Sequence, residues 1–214
     1  MEGVTVFGNA NGTAGSSIST LLKPWGITIN SDKSMLIVDQ NTRRLLRVLE
    51  SATTAIVIVN STSILVSRKA LYDAQLLNVY FMYYPNCIMR KIYNGSSSYT
   101  TVFARGCGTN VTQFANSAGF TIDSSGNFYI ADNSNHRILY WSLNGTISLI
   151  LAGVTGEIGN GTMHLRHPQD IALNETQGVM YVGDSYNHRI MRYNIGSPNG
   201  TVVAGGNGPG NARK

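Results

Sequence analysis

Phe128-Tyr-Ile-Ala-Asp-Asn-Ser-Asn-His-Arg-Ile-Leu-Tyr140 returns later in the chain as Met180-Tyr-Val-Gly-Asp-Ser-Tyr-Asn-His-Arg-Ile-Met-Arg192. It returns more loosely as Leu36-Ile-Val-Asp-Gln-Asn-Thr-Arg-Arg-Leu-Leu-Arg47. A fourth, decayed copy reads Tyr80-Phe-Met-Tyr-Tyr-Pro-Asn-Cys-Ile-Met-Arg90. Aligned on the arginine, the copies sit at 44, 87, 137 and 189, with spacings of 43, 50 and 52 residues. A self-similar period of this length marks a repeat architecture.

Each copy is preceded by a second fixed element. Leu21-x-x-Pro24-Trp-Gly-Ile27 matches Leu165-x-x-Pro168-Gln-Asp-Ile171, and Phe114-x-x-Ser117-Ala-Gly-Phe120 is a variant. Leu65-x-x-Arg68-Lys-Ala-Leu71 holds that place in the weak copy. The distance from this element to the aspartate position is 15, 14, 15 and 16 residues in the four copies. Within the third copy the spacing predicts four strands. Gly119–Ile122 alternates and Asp123–Gly126 turns; Asn127–Ala131 is the second strand, Arg137–Ser142 the third and Ile147–Leu151 the fourth. Four antiparallel strands per repeat of 43–52 residues describe a propeller blade. A lone sheet of this kind cannot bury both faces, so neighbouring blades must cover it.

Composition agrees. Of 214 residues, 43% are hydrophobic and only 13% are charged, which disfavours long solvated helices. Glycine (23), asparagine (21), serine (20) and threonine (18) suit short strands joined by tight turns. The net charge of +5 comes without any basic run. The nearest approach, Arg43-Arg44 with Arg47, reads as scattered solvated or paired arginines rather than a nucleic-acid footprint. The longest apolar run, near Ala55–Val59, is far too short to span a membrane. Met1-Glu2-Gly3 leads into a strand-like Val4–Phe7 and not into a cleavable signal. That start fits a cytosolic chain, or one that lacks its original N-terminus.

Asn135-His136-Arg137-Ile138 and Asn187-His188-Arg189-Ile190, each just after a strand ending in aspartate, resemble NHL repeats. The resemblance runs from about Gly8 to Gly208 and is weakest in the second copy. It implies an all-β NHL-type β-propeller segment covering residues 1–214. Its blades would lie at about 20–60, 64–106, 113–153 and 164–206, with residues 4–7 as the fourth strand of a preceding blade. NHL domains typically close with six blades, so the resemblance implies a four-blade piece of a larger ring.

The repeat's charged pairs are Asp39 with Arg44, Asp132 with Arg137, and Asp184 with Arg189. Each flanks the turn between second and third strands. Aspartate caps turn N–H groups there, and arginine reaches its carboxylate in fork geometry. Recurrence in three blades points to scaffold, since a catalytic pair normally occurs once. Replacing Arg189 by alanine is expected to destabilise by about 1–3 kcal/mol. His136 and His188 belong to the same turn. His164 and His167 would need a third ligand from elsewhere to hold a metal, so no metal or cofactor is expected.

In the weak copy, Met82 stands at the aspartate position and Cys87 at the arginine position. The only other cysteine is Cys107. A hairpin centred on the turn Asn94-Gly-Ser-Ser97 would place Cys87 opposite Cys107. A disulfide there, replacing the ion pair, requires an oxidising compartment.

Asn-x-Ser/Thr acceptors stand at Asn11, Asn60, Asn94, Asn110, Asn144, Asn160, Asn174 and Asn199, roughly twice the chance expectation for this composition. Five of them are Asn-Gly, which is also a hairpin turn. Acceptors and disulfide together favour an extracellular or secreted, non-catalytic module that binds a protein or glycan. The first alternative is the recognition propeller of a RING-type, tripartite-motif-like ubiquitin ligase. Some members of that branch bind RNA. The second is an enzyme similar to the peptidyl-α-hydroxyglycine amidating lyase. That resemblance places zinc-binding histidines where this chain has Trp25, Lys69, Ala118 and Gln169.

Overall fold

The computed structural model describes residues 4–60, 68–73, 77–83, 86–93, 96 and 98–210. The chain divides into two compact units, residues 1–104 and 105–214. The first unit holds two four-stranded antiparallel meanders. One is β1 (Pro24–Ile29), β2 (Met35–Asp39), β3 (Arg44–Val48) and β4 (Ile56–Asn60). The other is β5 (Ala70–Asp73), β6 (Asn78–Tyr83), β7 (Ile88–Tyr93) and β8 (Tyr99–Ala104). The second unit repeats the plan. It contains β9 (Phe120–Ile122), β10 (Phe128–Asp132), β11 (Arg137–Trp141) and β12 (Ser148–Gly153), then β13 (Pro168–Asn174), β14 (Val179–Asp184), β15 (Arg189–Asn194) and β16 (Gly200–Gly205). Four blades of four antiparallel strands are therefore present, and helix among the described residues is confined to three single 3-10 turns.

The second strand is buried along most of its length in each blade, with Tyr181 and Gly183 of β14 half-buried. In β10 all five residues of Phe128–Asp132 are buried. Alternation along such a strand then divides the core. In β2, Leu36 and Val38 join Leu45 and Val59 to meet Ala70, Val79, Phe81 and Ile92 of the next blade. Ile37, between them, faces the opposite side with Leu46, Val48 and Ala55. In the second unit, Tyr129, Ala131, Ile138 and Ala152 of one blade pack on Leu165, Ile171, Met180, Val182, Met191 and Tyr193 of the next. Non-directional apolar burial of this kind is the main stabilising term.

The turns between second and third strands share one feature in all four blades. The last residue is left-handed at Arg43 (φ 59°), Cys87 (φ 52°), His136 (φ 58°) and His188 (φ 53°). The fourth strand ends on Gly153 or Gly205 in the second unit, both with positive φ. A Cβ at either would collide with the carbonyl oxygen of that same left-handed histidine.

At Val4–Phe7, expected as the fourth strand of a preceding blade, no strand is formed. Val4 and Val6 are 86% and 73% exposed, and no described strand offers them a ladder. Phe7 instead packs against the cluster of Ile37, Leu46, Val48 and Ala55.

Candidate functional site

Each charged pair closes one end of its blade. Asp39 and Arg44, Asp132 and Arg137, and Asp184 and Arg189 are the terminal partners of the β2–β3, β10–β11 and β14–β15 ladders. Their ion pairs measure 2.9, 2.7 and 2.7 Å, and the aspartates are fully buried. The rest of each side chain grips the connector that precedes the blade. Arg137 donates to the carbonyl oxygens of Thr109, Asn110 and Gln113, and also to the Thr155 hydroxyl. Arg189 donates to Asn160, Gly161 and His164, and Arg44 to Ser16, Ser17 and Thr20. The other aspartate oxygen accepts a backbone N–H from the same connector: Leu22, Ala115 or Arg166. Burial pushes the Asp132 carboxyl above its ordinary value, and the N–H groups of Ala115, Asn135 and Arg137 act against that. These groups are engaged on all sides, which is scaffold chemistry.

The second blade departs from the pattern at positions shifted by one residue from the sequence alignment. Ladder register pairs Tyr83 with Ile88 at the place of aspartate and arginine, while Met82 pairs with Met89. Cys87 therefore occupies the left-handed turn position of His136, not the position of Arg137. Counted to Tyr83, the distance from Arg68 is 15 residues, matching the first and third blades.

Both cysteines are disulfide-bonded, and as the only two in the chain they are bonded to each other. The expected bond is present, but its geometry differs from the hairpin reading. The β7–β8 ladder ends with Ile88 opposite Ala104, so Cys107 lies beyond it. Gly106, with positive φ, turns the chain, and Cys107 bridges to Phe114. Of the expected turn Asn94–Ser97, only Ser96 is among the described residues.

The histidines separate. His164 sits 3.4 Å from the Glu157 carboxylate at the surface. His167 turns away, its ring 4.5 Å from that of His136 and 4.6 Å from that of Tyr186. Its backbone N–H donates to Nδ1 of His136, and its own Nδ1 meets the Asn133 amide oxygen. Arg166 lies over Tyr186, whose ring is exposed. Among the described residues no three His, Cys, Asp or Glu side chains converge on a metal position. What this end of the second unit presents to solvent is Arg166, Tyr186 and His188 around a half-buried His167.

His136 itself is buried, and burial, then His167 and Arg166, hold its pKa below the ordinary 6.5, with Asp184 opposing. The folded chain thus resists a proton that the unfolded chain accepts. Stability is complete above pH 6.5 and falls as pH drops from there through the depressed value, by at most about 1.4 kcal/mol per pH unit. His136→Asn keeps the left-handed turn. It is expected to flatten the melting temperature between pH 7.5 and pH 5; an unchanged slope would exclude His136 as the source.

The acceptor asparagines are distributed over both ends of the blades. Asn11, Asn60, Asn110, Asn144, Asn160 and Asn199 are exposed. Asn174 is half-buried and its side chain accepts the Gln177 N–H. Asn94 lies outside the described residues. Of the positions implied for zinc ligands, Trp25 stands beneath Lys23 and Arg68, and Ala118 is buried.

Residues 114–139 and 165–193 match the NHL repeat. The two matched segments fall in the third and fourth blades, the two that carry the repeat most fully. It is 31% identical over 86 residues to peptidyl-glycine alpha-amidating monooxygenase A of Xenopus laevis, covering 40% of this chain and 9% of that enzyme. The Rattus norvegicus enzyme is 29% identical over 87 residues, with the same coverage. The chain spans about a tenth of the length of these curated relatives. Among solved structures, a nidogen/laminin complex gives a TM-score of 0.69 at 17% identity, over 87% of this chain and 66% of that one. A streptogramin B lyase gives 0.60 at 14%, over 84% and 53%. These likenesses show the fold, a β-propeller architecture.

Proposed function

We propose that this chain is a non-catalytic recognition module, extracellular or secreted, that binds a protein or glycan through the end of the second unit bearing Arg166, His167 and Tyr186. One observation carries the reading. The repeat's charged side chains are engaged by connector backbone and so are not free for chemistry, which leaves an aromatic and cationic surface facing solvent. Exposed tyrosine and arginine are the side chains most enriched where proteins bind one another. The disulfide supports an oxidising compartment, and the exposed acceptor asparagines agree with it.

The test has two arms. Thiol alkylation and non-reducing mass mapping of the protein from its native source should find Cys87 linked to Cys107, and glycan on exposed acceptors. Arg166→Glu with Tyr186→Ala should abolish capture of the partner recovered by the wild-type chain, with the melting temperature unchanged. Free thiols and bare asparagines would move the reading to the intracellular ligase-type propeller.

The likeness to the amidating monooxygenases favours a second reading, a lyase-type enzyme. Trp25, Lys69, Ala118 and Gln169, where that resemblance expects histidines, speak against it. Hydrolysis or lyase activity retained after Arg166→Glu, together with bound zinc, would establish the enzyme instead.

A further inference from the structure

We propose that Arg90 is a docking point for a carboxylate on a short apolar stem, the aspartate or glutamate side chain of a partner protein. Ladder register shows what sets this residue apart. Arg90 stands opposite Phe81 in the second blade; the matched pairs are Leu46 with Ile37, Leu139 with Ile130 and Met191 with Val182. Leu46, Leu139 and Met191 are all fully buried. The blade that lacks the aspartate–arginine pair is therefore also the one that puts a cation at a core position.

Two aromatic rings close on that cation: Cζ of Arg90 lies 4.1 Å from the centroid of Tyr83 and 4.2 Å from that of Tyr99. Ring faces attract a guanidinium, but they offer its N–H groups no lone pair. Nε and Nη1 are buried and meet no acceptor, and no carboxylate among the described residues pairs with the side chain. Nη2 is left as the edge toward solvent, in a side chain that is half-buried overall. Buried N–H groups without acceptors are rare and costly. A carboxylate bound at Nη2 offsets the charge of the whole guanidinium, because that charge is delocalised. The surroundings select the kind of anion. Alternation puts Phe81, Ile88 and Thr101 on the face of Arg90, beside the exposed ring of Tyr99. A sugar acid would bring hydroxyl groups that only Thr101 could meet there, whereas an acidic side chain brings methylenes that tyrosine rings cover. Arginine and tyrosine are enriched where proteins bind one another, and the net charge of +5 favours an acidic partner. The site belongs to the first unit and does not depend on the Arg166–Tyr186 surface of the second.

The probes are N-acetyl-glutamate amide, its neutral glutamine counterpart and glucuronate, each at matched ionic strength. In the 214-residue protein, the glutamate probe should move the Arg90 Nε–Hε nuclear magnetic resonance signal, identified by its loss in Arg90→Leu. At about ten times its dissociation constant it should raise the melting temperature by about 3–5 °C. The glutamine probe should do neither. Arg90→Leu installs the residue that the first and third blades carry, so it should melt above wild type and ignore the glutamate probe. Arg166→Glu should respond as wild type does, which separates this site from the surface on the second unit. A lower melting temperature for Arg90→Leu would overturn the proposal, because the stacked arginine would then be a structural group. So would an unmoved signal, an equal response to the glutamine probe, or a stronger response to glucuronate.

Discussion

Arg137→Ala is expected to destabilise the second unit by about 3–5 kcal/mol, the range for removing one member of a buried ion pair. Arg137 is 1% exposed, and its loss leaves the fully buried Asp132 carboxylate without its cation. The carbonyls of Thr109, Asn110 and Gln113 lose their donor in the same step. Urea unfolding of wild type and variant measures the difference directly. Arg137→Lys should recover little of it, because one ammonium cannot reproduce the planar fork that serves carboxylate and carbonyls together. Arg189, with an ion pair and three carbonyls of its own, should follow the same pattern. A change under about 1 kcal/mol, typical of an exposed pair, would mean that the clamp is dispensable.

Reduction of the Cys87–Cys107 bond is expected to remove about 3 kcal/mol, since it opens a loop of about 20 residues in the unfolded chain. The measurement is the melting temperature with and without reductant, set against a variant carrying both Cys87→Ser and Cys107→Ser. The double variant should melt at the temperature of the reduced wild type and ignore reductant. Equal melting of oxidised and reduced wild type would show that the bond constrains nothing.

Much of the fold was legible because the repeat writes its strands in a regular code. Asp132, Asn135, His136 and Arg137 recur with fixed spacing, and the apolar runs before and after them have strand length. The code failed where its anchors are missing. Without aspartate and arginine, the second blade offered Met82 and Cys87 as the nearest matches, and ladder pairing moved the true positions to Tyr83 and Ile88. The disulfide partners were readable from a count of two cysteines. Their geometry was not, since it depends on where β8 ends and on the turn at Gly106. The arginines' grip on the connectors was invisible for a different reason: its acceptors are backbone carbonyls, which leave no mark on side-chain sequence. The meeting of His136 with His167 joins residues 31 apart on different blades, so no local pattern announces it.

The clamp's choice of acceptors has a consequence for how the connectors can change over time. Arginine recognises three C=O groups and aspartate one N–H, atoms that every connector supplies at those points whatever side chains it bears. Residues 109–113 and 160–164 can thus exchange nearly all their side chains while their backbone course stays fixed. In register with the clamp, Thr109, Asn110 and Gln113 stand where Asn160, Gly161 and His164 stand. The device separates shape from identity: the path of the loop is inherited with the blade, and the surface it displays is free to diversify.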